Sequence, residues 1–195
     1  MSVSFEISAF SSNPKALIGV LSGLSRVNQW PFDHNREVEE IVCKTPSSAL
    51  NYCRHVVHAY GVSPKGERVF LKNPKLGIRY LRLTNKPRFS DDDTQKRFWR
   101  KVIRNPDIAY TWATTFNKRL SEEEEMVFSE SIRIAWQYAN RIIRGAFPES
   151  VHHRILLRSF ENLDQYSKQA LNNYLAFAST HGAAILEGSA PVGNR

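Results

Sequence analysis

The sequence predicts an all-α protein, an α-solenoid-like stack of about five to six two-helix repeats. Three observations carry this. Prolines recur in a matching context, an aromatic residue returns at near-constant spacing, and strand signals are scarce. The prolines sit in Asn13-Pro14, Thr45-Pro46, Asn73-Pro74 and Asn105-Pro106. Asn or Thr caps a helix by accepting a free backbone N–H, and Pro suits the first helical position, where no N–H partner exists. Three positions on stand Leu17, Ala49, Gly77 and Ala109; six positions on, in three of the four, stand Tyr52, Tyr80 and Trp112. The aromatic series continues through Tyr138 and Tyr166, with spacings of 28, 32, 26 and 28. No stretch alternates β-branched with polar residues, and no Asn-Gly or Asp-Gly hairpin turn occurs.

In chain order, each Asn/Thr-Pro pair opens a helix A. Ser131-Ile132 opens one without Pro, because Ala135-Trp136-Gln137-Tyr138-Ala139 aligns with Ala109-Tyr110-Thr111-Trp112-Ala113. Helix B of each unit starts at Asp33-His34-Asn35, Ser63-Pro64, Ser90-Asp91-Asp92-Asp93, Ser121-Glu122 and Pro148-Glu149. Acids in a first turn suit the positive end of the helix dipole. An apolar run follows each start, such as Val69-Phe70-Leu71 or Met126-Val127-Phe128. Helices of about eight to fifteen residues with short turns bury their apolar faces by stacking. Copy 13–42 is atypical, with Gly19 and Gly23 inside helix A, and Asp164-Gln165-Tyr166 marks a last, degraded copy. The expected organisation is an N-terminal tail at 1–12, one helical-repeat domain at 13–180, and a flexible C-terminal tail at 181–195. His181-Gly182 is expected to stop the last helix, and Gly188, Pro191 and Gly193 to prevent another.

The net charge is +8, and its distribution says more than its sum. Residues 1–40 hold three Lys/Arg and five Asp/Glu; 41–90 hold ten and one; 91–130 hold seven and nine; 131–195 hold seven and four. A concentrated positive region favours a polyanionic or acidic partner. Cys43 and Cys53 fit a reducing compartment and read as small buried side chains. No run approaches a membrane span, and Met1 to Phe10 lacks the pattern of a secretory signal. The expected location is therefore cytoplasmic, with no membrane partner.

The unit Asn-Pro-x-x-Ala-x-x-x-Ala, closed by basic residues and followed by an acidic helix start, resembles a short helical repeat of large tailed bacteriophages. The proteins that carry that repeat are mostly uncharacterised. The matching stretches are Asn105-Pro106-Asp107-Ile108-Ala109-Tyr110 with Lys118-Arg119, and Ile134-Ala135-Trp136-Gln137-Tyr138-Ala139 with Arg144 and Pro148-Glu149. The resemblance covers about 42–150 and departs at Gly77, where the repeat has Ala. It implies a phage origin, a place in the host-cell cytoplasm, and no known activity.

The candidate binding residues are cations. On 93–104, Lys96, Arg97, Arg100, Lys101 and Arg104 fall on one helix side, and Phe98, Trp99, Val102 and Ile103 on the other. Arg79, Arg82 and Lys86 follow helical spacing, with Arg88 just after. Arg54, Lys118, Arg119, Arg141 and Arg144 lie near the ends of A helices, where parallel stacking would line them along one edge. The same placement equally suits the negative end of a helix dipole. Tyr52, Tyr80, Trp112 and Tyr138 read as inter-helix packing rather than base-stacking platforms.

Cys43, Cys53, His55 and His58 fit no zinc spacing, His152-His153 point apart on a helix, and Asp91 to Asp93 and Glu122 to Glu125 sit where helix starts belong. No phosphate-binding loop, nucleophile elbow or metalloprotease motif occurs. The sequence thus predicts a non-enzymatic protein without cofactor, metal or small-molecule substrate. It acts as an adaptor or modulator on a protein or nucleoprotein complex with an acidic surface. Direct RNA or DNA binding through 79–104 is the alternative, and a virion component the second.

Overall fold

The structure, a computed structural model, describes residues 7–26, 36–158 and 163–187, and among these no strand occurs. The all-α class is therefore as expected. Eleven α-helices are described: α1 (Pro14–Arg26), α2 (Arg36–Val42), α3 (Pro46–Tyr52), α4 (Pro64–Glu67), α5 (Pro74–Leu83), α6 (Asp92–Val102), α7 (Pro106–Phe116), α8 (Glu122–Glu125), α9 (Ile132–Tyr138), α10 (Glu149–Arg158) and α11 (Gln165–Glu187). The chain divides into two compact units, Met1–Lys101 and Val102–Arg195.

In the first unit α1, α3 and α5 are the A helices. Each starts as its Asn/Thr-Pro pair dictates: Ala16, Ser48 and Leu76 donate their N–H to the side chains of Asn13, Thr45 and Asn73 at 3.1, 3.2 and 3.2 Å. Substituting such a cap costs about 1 kcal/mol. Helix α3 touches both α1 and α5. It runs on through a π-helical turn, Cys53–Val57, that ends at His58 with a positive φ of 49°. Helix α5 ends at Asn85, φ 53°, with Lys86 N–H returning to the Leu81 carbonyl. The B helix is shorter than expected. Ser63 caps only one α-turn, α4, before a 3-10 turn at Arg68–Lys72. Ten residues separate the Ser63 cap from the Asn73 cap, which leaves no room for more. Residues 7–12, expected as tail, instead hold a 3-10 turn, Ile7–Phe10, packed on α1 and α2. The helix start expected at Asp33-His34-Asn35 lies outside the described residues.

The core of this unit is an aromatic stack. Phe70, Tyr80 and Phe89 lie near-parallel, with centroids 4.5, 5.9 and 6.3 Å apart, and Phe98 meets Phe89 edge-on at 4.9 Å. The stack explains Gly77: a Cβ there would fall 2.9 Å from the Phe98 ring and 3.3 Å from Phe70.

The second unit repeats the arrangement. Asn105 caps α7, and Asn117, φ 48°, ends it. Ser121 caps α8 in a reciprocal capping box with Glu124, and a 3-10 turn, Met126–Glu130, completes the B segment. Helix α9 follows, without a side-chain cap from Ser131, and runs into a π-helical turn, Ala139–Ile143, closed by left-handed Arg144. Phe128, Tyr138 and Phe147 stack at 4.1, 5.8 and 6.0 Å, matching Phe70, Tyr80 and Phe89.

Tyr166, the last member of the aromatic series, is 82% exposed; the buried tyrosine of that segment is Tyr174. The helix stop expected at His181-Gly182 fails. Helix α11 passes Gly182 and runs to Glu187, because a single interior glycine costs about 1 kcal/mol and does not end a helix. Gly188, Pro191 and Gly193 lie outside the described residues.

Candidate polyanion-binding surface

The charge divides with the fold. Residues 1–101 hold 17 Lys/Arg against nine Asp/Glu, the whole net +8, while 102–195 hold ten of each. The described acids of the first unit are moreover engaged inward or with neighbours. Glu39 is buried and accepts from the N–H and hydroxyl of Ser63. Glu67 is fully buried; it accepts from Tyr80 Oη at 2.8 Å and Ser90 N–H at 2.7 Å, and lies 3.6 Å from Lys86 Nζ. Glu40 pairs with Arg36 and Lys65, Asp92 with Arg88, and Asp93 with Arg97. Asp91 caps α6 through Thr94 and faces Arg68 at 3.7 Å. The Thr94 hydroxyl and N–H hold the Asp91 carboxyl below its ordinary value, and Arg36 does the same for Glu40.

This consumption of acids leaves Lys15, Arg26, Lys44, Arg54, Lys72, Lys75, Arg79, Arg82, Lys96, Arg100 and Lys101 exposed, with no acidic partner among the described residues. Five of the eleven lie on the A helices and Arg54 on the π-helical turn that prolongs α3, and five of these six line two grooves. The groove between α3 and α5, about 430 Å³, is lined by Leu50, Arg54, Arg79, Arg82 and Leu83. The groove between α1 and α3, about 450 Å³, is lined by Lys15, Arg26, Asn51 and His55, with Gly19 and Gly23 on the α1 side. Among the described residues no acid lines either.

The sequence-predicted cations therefore separate into two kinds. Arg79, Arg82, Lys96, Arg100 and Lys101 stand exposed in the first unit, as do Arg104, Lys118, Arg141 and Arg144 in the second. Lys86, Arg88, Arg97 and Arg119 are tied to acids. Lys86 follows the left-handed Asn85 and turns toward buried Glu67 instead of extending the Arg79–Arg82 stripe. Arg119 clamps fully buried Glu125 at 2.7 and 3.1 Å. Lys15, Arg26 and the groove role of Arg54 escape the sequence, since only the packing of α1 on α3 brings them beside His55 and Arg79. Of the aromatics, Tyr52, Tyr80 and Tyr138 are buried as expected, whereas Trp112 is half-buried against Phe116.

A buried polar motif also escapes. Tyr80 Oη accepts from Val62 N–H at 3.4 Å and donates to Glu67; Tyr138 Oη accepts from Leu120 N–H at 2.8 Å and donates to Glu125 at 3.0 Å. Both pairs are 13 residues apart, and that shared spacing is the signal that finds them. In the last copy His152 takes the carboxylate's place, with Nδ1 2.6 Å from Tyr174 Oη, and the Tyr174 ring meets Phe147 at 5.9 Å. Burial and neighbouring His153 lower the His152 pKa.

A third cavity, about 530 Å³, lies beside Cys43 and is lined by Glu39, Ser63 and Gly66 with a rim of Arg36, Glu40 and Lys65. Burial pushes the Cys43 thiol up to about 12, and Cys53 is raised further by the same cause. Neither is a thiolate at neutral pH, so the cavity holds no activated nucleophile. Among the described residues no group of three or more His, Cys, Asp or Glu could hold a metal, and no helix is long and apolar enough to cross a membrane. No family model matches the chain, and neither a curated protein nor a solved structure matches it.

Proposed function

We propose that the chain is a non-catalytic binding protein, an adaptor or modulator that engages a negatively charged macromolecular complex through the A-helix face of its first unit. One observation carries the reading. The first unit holds the entire net charge, its described acids are engaged, and five of its cations without an acidic partner line two grooves that no described acid lines. A surface of one sign without internal compensation raises the local concentration of opposite charge and steers association.

The test compares two charge reversals in the full chain against immobilised polyanions, a DNA duplex and poly-glutamate, at about 50 mM salt, where screening is modest. Reversal in the first unit (Arg79→Glu with Arg100→Glu) is expected to abolish retention. Reversal in the neutral second unit (Lys118→Glu with Arg141→Glu) is expected to leave it. Equal effects, or no retention of the unaltered protein on either polyanion, would defeat the proposal.

A further inference from the structure

We infer that the two grooves flanking α3 form one track for a nucleic-acid sugar–phosphate backbone, gripped without regard to base sequence. The inference rests on the reading that the first unit binds a polyanion, and names which polyanion.

Three observations select the phosphate backbone over an acidic protein. The first is arrangement. Arg79 and Arg82 are three residues apart on α5, so they rise from one face of that helix about one turn apart. Arg54 faces them across the groove, from the π-helical turn that prolongs α3. On the other side of α3 the pattern recurs, with Lys15 and Arg26 at opposite ends of α1. Packed helices lie about 8–10 Å apart, so adjacent grooves repeat at that interval. A regular two-groove array of cations suits a polymer that carries charge on every residue.

The second is chemistry. Three of the five cations in the grooves are arginines sharing one groove, and a guanidinium fork matches two phosphate oxygens at once. Asn51 and Ser22 add neutral donors in the neighbouring groove. The third is what the grooves lack. Among the described residues neither is lined by an aromatic residue. A protein partner is held by buried aromatic and aliphatic anchors, and base readout in a single strand by stacking platforms. Among the described residues the apolar floor is Leu50 and Ile18, both buried, and Leu83, half-buried. Among the described residues of this unit the exposed large apolar side chains, Val20 and Tyr60, line neither groove. Cations on a rigid helical floor without stacking surface fit backbone contact alone.

The test is fluorescence anisotropy of the full chain with labelled 20-base-pair duplexes of two unrelated sequences, and with labelled poly-glutamate, over a salt series. Each phosphate neutralised contributes about 0.9 to the slope of log K against log salt. Engagement of Lys15, Arg26, Arg54, Arg79 and Arg82 then weakens binding about 500-fold between 50 and 200 mM salt. The combined variant Arg54→Gln, Arg79→Gln, Arg82→Gln should keep the helical spectrum and the unfolding midpoint, yet lose only about 12-fold over that range. The two duplexes should bind within about twofold of each other, as purely electrostatic contact requires.

Three results overturn the inference while leaving the broader reading in place. One is poly-glutamate binding as tightly as duplex. Another is a slope unchanged in the groove variant but abolished by Lys96→Gln, Arg100→Gln, Lys101→Gln. The third is a more than tenfold preference between the two duplexes. Failure of every polyanion to bind overturns both.

Discussion

Removing one hydroxyl from the core tests whether the tyrosine–carboxylate pair holds each unit together. In Tyr80→Phe the ring keeps its stack on Phe70 and Phe89, so the packing contribution stays constant and only the hydroxyl's bonds are lost. Those are the donation to fully buried Glu67 at 2.8 Å and the long contact from Val62 N–H at 3.4 Å. A hydrogen bond to a charged group is worth about 1.5–3 kcal/mol, so the expected loss is about 2 kcal/mol. Glu67→Ala is harsher. It strips the acceptor from the Tyr80 hydroxyl and Ser90 N–H, and the counter-charge from Lys86, at an expected cost of about 3–5 kcal/mol. Urea unfolding followed by far-UV circular dichroism measures both, and the double variant closes the cycle. Because the two single changes remove the same bond, the double variant should fall short of additivity by about 1–2 kcal/mol. Tyr80→Phe within about 0.5 kcal/mol of the unaltered protein, a change usual at an indifferent surface site, would refute the reasoning, and so would strict additivity.

Other outcomes follow from the same geometry. Gly77→Ala should destabilise by about 1–3 kcal/mol, because its Cβ would press on the Phe98 ring. Gly23→Ala, with nothing within 4 Å of the new methyl in mid-helix, should stabilise by about 0.5–1 kcal/mol in the same unfolding assay. In alkali the sign is set by the buried tyrosines. Tyr80, Tyr138 and Tyr174 have pKa values raised mainly by burial, to about 12 for Tyr174. Their contribution is complete below the unfolded value of about 10 and is lost as pH climbs toward the folded one. Stability should thus fall above pH ~10 by about 1.4 kcal/mol per pH unit for each, and less steeply in Tyr80→Phe. Finally, both thiols of the native chain should react with a disulfide reagent at neutral pH more than about tenfold slower than a free cysteine.

The parts of this fold that were legible in the sequence are those written in local chemistry. The Asn/Thr-Pro starts at 13, 45, 73 and 105 are helix caps because a side-chain oxygen three residues back and a ring without N–H suffice to specify one. Gly77 was visible only as a missing alanine; its reason lies in three phenylalanines that reach it from other segments. Tyr166 continues the regular aromatic interval yet is exposed, whereas the buried Tyr174, set against His152 and Phe147, ignores that interval. The basic surface was legible as a charge excess but not as a place. Lys86, Arg88, Arg97 and Arg119 obey the same helical spacing as Arg79 and Arg82, and only their folded partners show that they are spoken for.

The link from Val62 through Tyr80 to Glu67 and that from Leu120 through Tyr138 to Glu125 each span nineteen consecutive residues with identical offsets. The register extends one step further, because Phe89 and Phe147 each follow their stacked tyrosine by nine residues. Val62–Phe89 and Leu120–Phe147 are thus two prints of one 28-residue block. A single residue gained or lost inside either print should take the hydroxyl, the amide and the carboxylate out of step together. Each block is therefore inherited whole or not at all.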